Sequence, residues 1–176
     1  GRAAASFAQR CEETAGLDPV RDVLLVVVAA AAAPISGGRH KVFGSAAASI
    51  LPQTSTIASH LPRAVGLAFA LDRAAKQGIS CRWPGDAVVV CSFGDASANH
   101  STALGAMNAA SWTVHQGLPL PLLLVCEDNG LGISVRTPPD WIETAFGSRP
   151  GIRFFSADGC DLVETYQAGC EAADWV

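Results

Sequence analysis

The sequence predicts an α/β fold, with a parallel sheet covered by helices on both faces. Three observations carry that expectation. Two short apolar runs, Asp86 to Phe93 (DAVVVCSF) and Pro119 to Cys126 (PLPLLLVC), each lead straight into a polar turn. Between them, Ala98 to Gln116 reads as a helix closed by Gly117. Apolar residues make up 49% and charged residues 16% of the 176 positions, a balance that suits a buried α/β interior and not a disordered chain.

Taken in order, residues 2–15 form a helical pattern ending at Gly16, with Asp18-Pro19 beyond it. Val23 to Ala33 is the longest apolar run. It falls short of the roughly 20 residues needed to span a bilayer, and a buried helix is expected. Ile35 to Ser45 is a glycine-rich loop with the basic triplet Arg39-His40-Lys41, and Leu51 to Ser59 is hydroxyl-rich. Pro62 to Gln77 reads as a helix with proline in its first turn and Gly78 as its stop.

The runs at 86–93 and 119–126 suit strands buried on both faces, and with the intervening helix they make a βαβ unit. Val135 to Pro150 reads as a loop or a short interrupted helix, Ile152 to Ser156 as a third strand, and Asp161 onward as a helix. Residues 1–35 are thus an N-terminal helical segment, and residues 36–176 the α/β domain. The chain opens at Gly1 without methionine and closes at Asp174-Trp175-Val176 within a helical pattern, so a piece of a longer subunit is expected.

The net charge of −4 comes without a basic block, which argues against nucleic acid. The six cysteines show no CxxC pair and no zinc spacing, and Cys91 and Cys126 lie in apolar runs as inert core thiols. A reducing, cytoplasmic setting follows, with no membrane association.

Ligands of an open parallel sheet bind beyond the carboxyl ends of its strands. Two polar turns stand there: Gly94-Asp95-Ala96-Ser97 and Glu127-Asp128-Asn129-Gly130. One carboxylate and one amide oxygen suit magnesium, with a loop carbonyl near Leu131 as a third oxygen. Gly94 and Ala96 let backbone approach closely, and a helix beginning after Ser97 would offer free N–H groups to a phosphate. An aspartate after a strand is also commonly a cap or turn residue, and Asn-Gly is an ordinary turn dipeptide. Residue chemistry alone therefore leaves both readings open.

The run GDASANHSTALGAMNAA, followed by LLLVCEDNGLGIS, resembles the cofactor motif of thiamine diphosphate-dependent 2-oxoacid dehydrogenases. LPQTSTIASHLPRAVGLAFAL is similar to the cofactor-ring loop and following helix of their α subunits, the branched-chain type above all. GGRHKVFGS and ADGCDLVETYQA match flanking segments, so the likeness covers residues 36–176.

The resemblance implies a thiamine diphosphate-binding fold, with magnesium held by the side chains of Asp95 and Asn129 and the backbone oxygen of Leu131. It implies diphosphate contacts from Gly94, Ala96 and Ser97. Ile57 would sit under the cofactor rings with Ser55 nearby, and Thr54, Ser59 and His60 would hold a potassium ion. His40 is a candidate contact for substrate or diphosphate, or a loop cap. Implied partners are a β-type subunit or β-like domain, a lipoyl-bearing acyltransferase and a 2-oxoacid substrate. The implied reaction is oxidative decarboxylation with acyl transfer to the lipoyl carrier. The alternatives are a non-catalytic fragment of such a subunit, or a thiamine diphosphate enzyme of transketolase type.

Three features depart from the family pattern. Ala96 replaces a glycine, Asp128 replaces an asparagine, and the Asp95–Asn129 spacing is several residues longer than usual. The extra length is expected around Val114 to Pro121, at the helix-to-strand turn away from the site.

Overall fold

A computed structural model describes residues 18–39 and 42–176. The helix expected over 2–15 and the candidate residue His40 lie outside the described residues. The chain divides into two compact units, residues 1–56 and 57–176.

In the first unit, Asp18-Pro19 begins a helix. Helix α1 spans Pro19–Val27, with proline in its first turn and the Asp18 carboxylate accepting the Arg21 N–H at 2.9 Å. That start signal displaces the buried helix expected over Val23 to Ala33. The helix stops at Val27, Ala29 turns to φ 52°, and along α1 only Val26 is buried while Leu24 and Val27 stay exposed.

Strands β1 (Phe43–Ser45) and β2 (Ile50–Gln53) then form an antiparallel hairpin, pairing Phe43 with Gln53 and Ser45 with Ile50 across a bulge. Gly44 is needed there because a Cβ would stand 3.0 Å from the Pro52 Cα. The sequence pattern predicts a loop over the first strand and no strand over the second. Each has only three or four residues, and Pro52 masks the second.

The second unit holds the βαβ core. Helix α2 (His60–Lys76) packs on strand β3 (Val89–Gly94). A 3-10 turn follows over Asp95–Asn99, then helix α3 (Ser101–His115) and strand β4 (Leu122–Glu127). Strands β3 and β4 are parallel and in unbroken register from Val89↔Leu122 to Gly94↔Glu127. Two helices complete the order, the short α4 (Trp141–Phe146) within the expected loop region and α5 (Leu162–Trp175). Asp161 caps α5, accepting the N–H groups of Val163 and Glu164, and Asp158 accepts that of Cys160. No described helix is long and apolar enough to cross a membrane.

One apolar cluster joins these elements. Leu61, Ala64 and Val65 of α2 meet Ala103, Ala106 and Met107 of α3, together with Cys91 and Phe93 of β3 and Ile142 and Phe146 of α4. The small residues of α3 let helix and sheet approach closely.

Two expectations fail. The strands are covered on one face and not on both: Cys91 and Phe93 are buried, but Val90, between them on the other face, is 63% exposed and Val125 is 40% exposed. Nor is Ile152 to Ser156 a strand. Ile152 and Phe154 pack against the core, but the segment joins no sheet. Its apolar character comes from burial alone, without ladder hydrogen bonds.

Candidate functional site

The register of the two parallel strands decides where the two polar turns stand. Gly94 pairs with Glu127, so Asp95 leaves β3 and Asp128-Asn129 leaves β4 at the same sheet edge. Residues 116–121 connect α3 to β4 at the opposite edge of the sheet. Asp95 is only 2% exposed, and its Oδ2 has no hydrogen-bond partner among the described residues. A buried carboxylate oxygen without a donor is costly, on the order of 1–3 kcal/mol or more, and is the feature a cation would relieve.

The loop after β4 is folded as a small hairpin. The Asn129 carboxamide Oδ1 accepts the Leu131 N–H at 2.9 Å, Gly132 N–H donates to Val135 O at 2.9 Å and Thr137 N–H to Gly130 O at 3.2 Å. This hairpin presses against the turn after β3. A Cβ on Gly132 would lie 2.6 Å from the Val135 carbonyl oxygen and 3.0 Å from the Ala96 Cβ. Gly132 therefore allows the two loops to meet. The sequence reading missed it, although the second glycine of Asn-Gly-Leu-Gly was the available signal.

The phosphate-facing helix start is built differently from expectation. Helix α3 begins at Ser101, because His100 is extended (φ −73°, ψ 139°) and caps it, Nδ1 accepting the Thr102 N–H at 3.2 Å. The backbone N–H groups left without a side-chain cap belong to the separate 3-10 turn that opens at Asp95. Ser97 is not a cap: it contributes its carbonyl to the His100 N–H within that turn. Asn99 Oδ1 accepts from the Trp141 indole at 2.8 Å, which ties α4 to the turn.

Ile57, Ser59 and His60 belong to the same unit as Asp95, whereas Thr54 and Ser55 close the first unit. Ile57 is exposed, and Ala58 behind it is 1% exposed with φ +59°, an uncommon conformation for alanine. His60 Nε2 lies 3.0 Å from the Ser92 carbonyl oxygen. A carbonyl only accepts, so Nε2 carries the proton and donates. The other ring nitrogen, Nδ1, then holds the lone pair.

Among the described residues no three His, Cys, Asp or Glu side chains are grouped to hold a metal, so the candidate set relies on a single carboxylate plus neutral oxygens. Cys91 is buried, and that burial pushes its thiol up to about 11, which keeps it protonated and inert. A groove of about 760 Å³ beside Glu143, Arg153, Phe154 and Trp175 contains none of the candidate residues.

Residues 13–176 match the family model described as dehydrogenase E1 component. The chain belongs to the dehydrogenase E1 component family. Within that family it is 30% identical to the mouse (Mus musculus) mitochondrial 2-oxoisovalerate dehydrogenase subunit alpha, over 68% of this chain and 24% of the relative. It is 31% identical to the Bos taurus counterpart over the same shares. It is 29% identical to the pyruvate dehydrogenase E1 component subunit alpha of Zymomonas mobilis, over 92% of this chain and 42% of that relative. The chain thus spans about a quarter of the length of the first two relatives and less than half of the third. E1 dehydrogenase components use thiamine diphosphate.

Proposed function

We propose that this chain supplies the diphosphate- and magnesium-binding part of a thiamine diphosphate-dependent 2-oxoacid dehydrogenase acting on branched-chain 2-oxoacids. The observation that carries the reading is the buried Asp95 carboxylate, with an oxygen lacking a donor, at the sheet edge shared with Asn129. Asp95, the Asn129 carboxamide and the Leu131 carbonyl would hold magnesium. The Asn129 oxygen keeps a second lone pair beyond its bond to Leu131 N–H. Magnesium takes few protein ligands and completes its shell with water and phosphate oxygens, so three suffice.

Gly94, Ala96 and Ser97 would meet the diphosphate through backbone, and the exposed Ile57 side chain would contact the rings. When bound, thiamine diphosphate supplies the electron sink for loss of carbon dioxide from a 2-oxoacid. The protein's share is positioning: a preset metal site fixes one end of the cofactor, and an apolar residue supports the other. The acyl product would pass to a lipoyl-bearing acyltransferase. A β-type subunit or β-like domain would complete the site. A reducing compartment is proposed from the cysteines, which are free at every described position.

Titration calorimetry with thiamine diphosphate and magnesium, on the wild type and Asp95→Ala, tests the reading. Binding that vanishes in the variant is expected; binding indifferent to Asp95 sinks the site. Decarboxylation of a branched-chain 2-oxoacid should then appear on mixing with a β-type subunit.

A further inference from the structure

We infer that Ala96 and Gly132 form a spacer between the two loops of the site, and that their contact sets the size of cation accepted between Asp95 and Leu131. The choice of ion rests on the cofactor reading above; the contact between the loops does not.

Gly132 is glycine for lack of room and not for its backbone conformation. Gly130, two residues earlier, needs its glycine at φ +67°, whereas Gly132 lies outside the left-handed region. A Cβ on Gly132 would meet two neighbours of different origin. The Val135 carbonyl oxygen, 2.6 Å away, belongs to the same hairpin and accepts the Gly132 N–H. The Ala96 Cβ, 3.0 Å away, belongs to the turn after β3. Leu131 and residues 133–136 of the hairpin are exposed, and Gly132 among them is half-buried.

The place of this contact gives it a consequence. Ala96 directly follows Asp95, and Gly132 directly follows Leu131, whose carbonyl carbon is bonded to the Gly132 nitrogen. Each contacting residue is thus joined to one proposed ligand, so a change in the gap between the loops shifts the two ligands relative to each other. Carbon atoms rest about 3.5–4.0 Å apart, so a methyl on Gly132 would have to push the Ala96 methyl back by about 0.5–1 Å. Magnesium holds oxygens at about 2.0–2.1 Å and calcium at about 2.3–2.6 Å. One methyl at this contact is therefore as large as the difference between the two ions. Ala96 stands where the family pattern has glycine, so the turn supplies the methyl of the spacer and the hairpin supplies the space for it.

Calorimetry on the whole chain tests the inference, with thiamine diphosphate titrated in magnesium and, separately, in calcium. The readout is the ratio of the two affinities, because a merely structural defect weakens both alike. Gly132→Ala should lower the magnesium-to-calcium ratio about tenfold. Ala96→Gly/Gly132→Ala, which removes the opposing methyl, should recover at least about threefold of that loss, the Val135 contact accounting for the rest. A ratio unmoved across these proteins overturns the inference. If Gly132→Ala does not fold, Ala96→Val enlarges the contact from the turn and leaves the Val135 oxygen untouched. Its ratio should fall in the same sense, and a wild-type ratio there overturns the inference.

Urea denaturation without metal or cofactor judges the contact by itself. Gly132→Ala should raise the unfolding constant at least about threefold less in the Ala96→Gly background than in the wild type. Equal effects in the two backgrounds mean that the methyls do not meet, which also overturns the inference. A wild type that binds no thiamine diphosphate in either ion would remove the cofactor reading and the choice of ion with it, and the urea comparison would still decide the contact.

Discussion

Asp95→Asn should make the ligand-free protein more stable while removing its response to cofactor. Asp95 is 2% exposed and Oδ2 lacks a donor, so folding buries a charge that the described residues do not fully satisfy. Asparagine has nearly the same shape and no charge. Burying an unsatisfied group costs on the order of 1–3 kcal/mol, and more for an ion, while the neutral amide still forfeits part of that. A net gain of about 1–2 kcal/mol is therefore expected. At this chain length each kcal/mol moves Tm by about 2–4 °C, giving a rise of about 2–8 °C. With magnesium and thiamine diphosphate at about a hundred times Kd, linkage adds about 2.7 kcal/mol to the wild type and nothing to the variant. The order of the two melting temperatures should then narrow or invert. Scanning calorimetry with and without ligands reads both signs. A variant that melts below the wild type without ligand, or one that gains as much from ligand, refutes the reasoning.

Three further outcomes are expected. Gly132→Ala places a methyl 2.6 Å from the Val135 oxygen and 3.0 Å from Ala96 Cβ. It should cost about 1–3 kcal/mol in urea denaturation and weaken cofactor binding, because the loop carrying Leu131 must move. At pH 8, iodoacetamide should label the exposed Cys81, Cys160 and Cys170 and spare Cys91, as read by peptide mass spectrometry. Since burial raises the Cys91 value to about 11 from 9.0, its stabilising contribution is complete below pH 9 and declines as pH rises through 11. Asp72 behaves oppositely. Its hydrogen bond from Lys76, with a second from Arg73, holds its carboxyl below the ordinary 3.8, so its contribution is present above that pH and fades as pH falls below it. The urea midpoint difference between wild type and Asp72→Asn should shrink from pH 7 to pH 3.

The legible part of the sequence was the part governed by local pattern. Two apolar runs ending in polar turns announced β3 and β4, and their register brought Asp95 and Asn129 to one edge. What escaped depends on partners distant in sequence. Val90 sits in a run that reads as fully buried, but whether a strand face is covered depends on what packs there. Ile152 and Phe154 are apolar because they pack, and a ladder cannot be inferred from that. The hairpin of Phe43–Ser45 with Ile50–Gln53 has too few residues to show alternation. Asp18-Pro19 is ambiguous in principle, since the same pair follows one helix or opens the next. His100 breaks the expected single helix by competing for the backbone with its own ring, and the Gly132 contact depends on a loop from another strand. The His60 bond, spanning 32 positions, has no local signature at all.

The uncovered side of the β3–β4 pair has a practical consequence. Valines 88, 90 and 125 display aliphatic surface to water beside backbone edges able to accept another strand. A solution of this polypeptide should therefore crowd into aggregates as it is concentrated. Placing lysine at position 90 should keep it dispersed at higher concentration, while the opposite face, where Cys91 and Phe93 are packed, stays as it is.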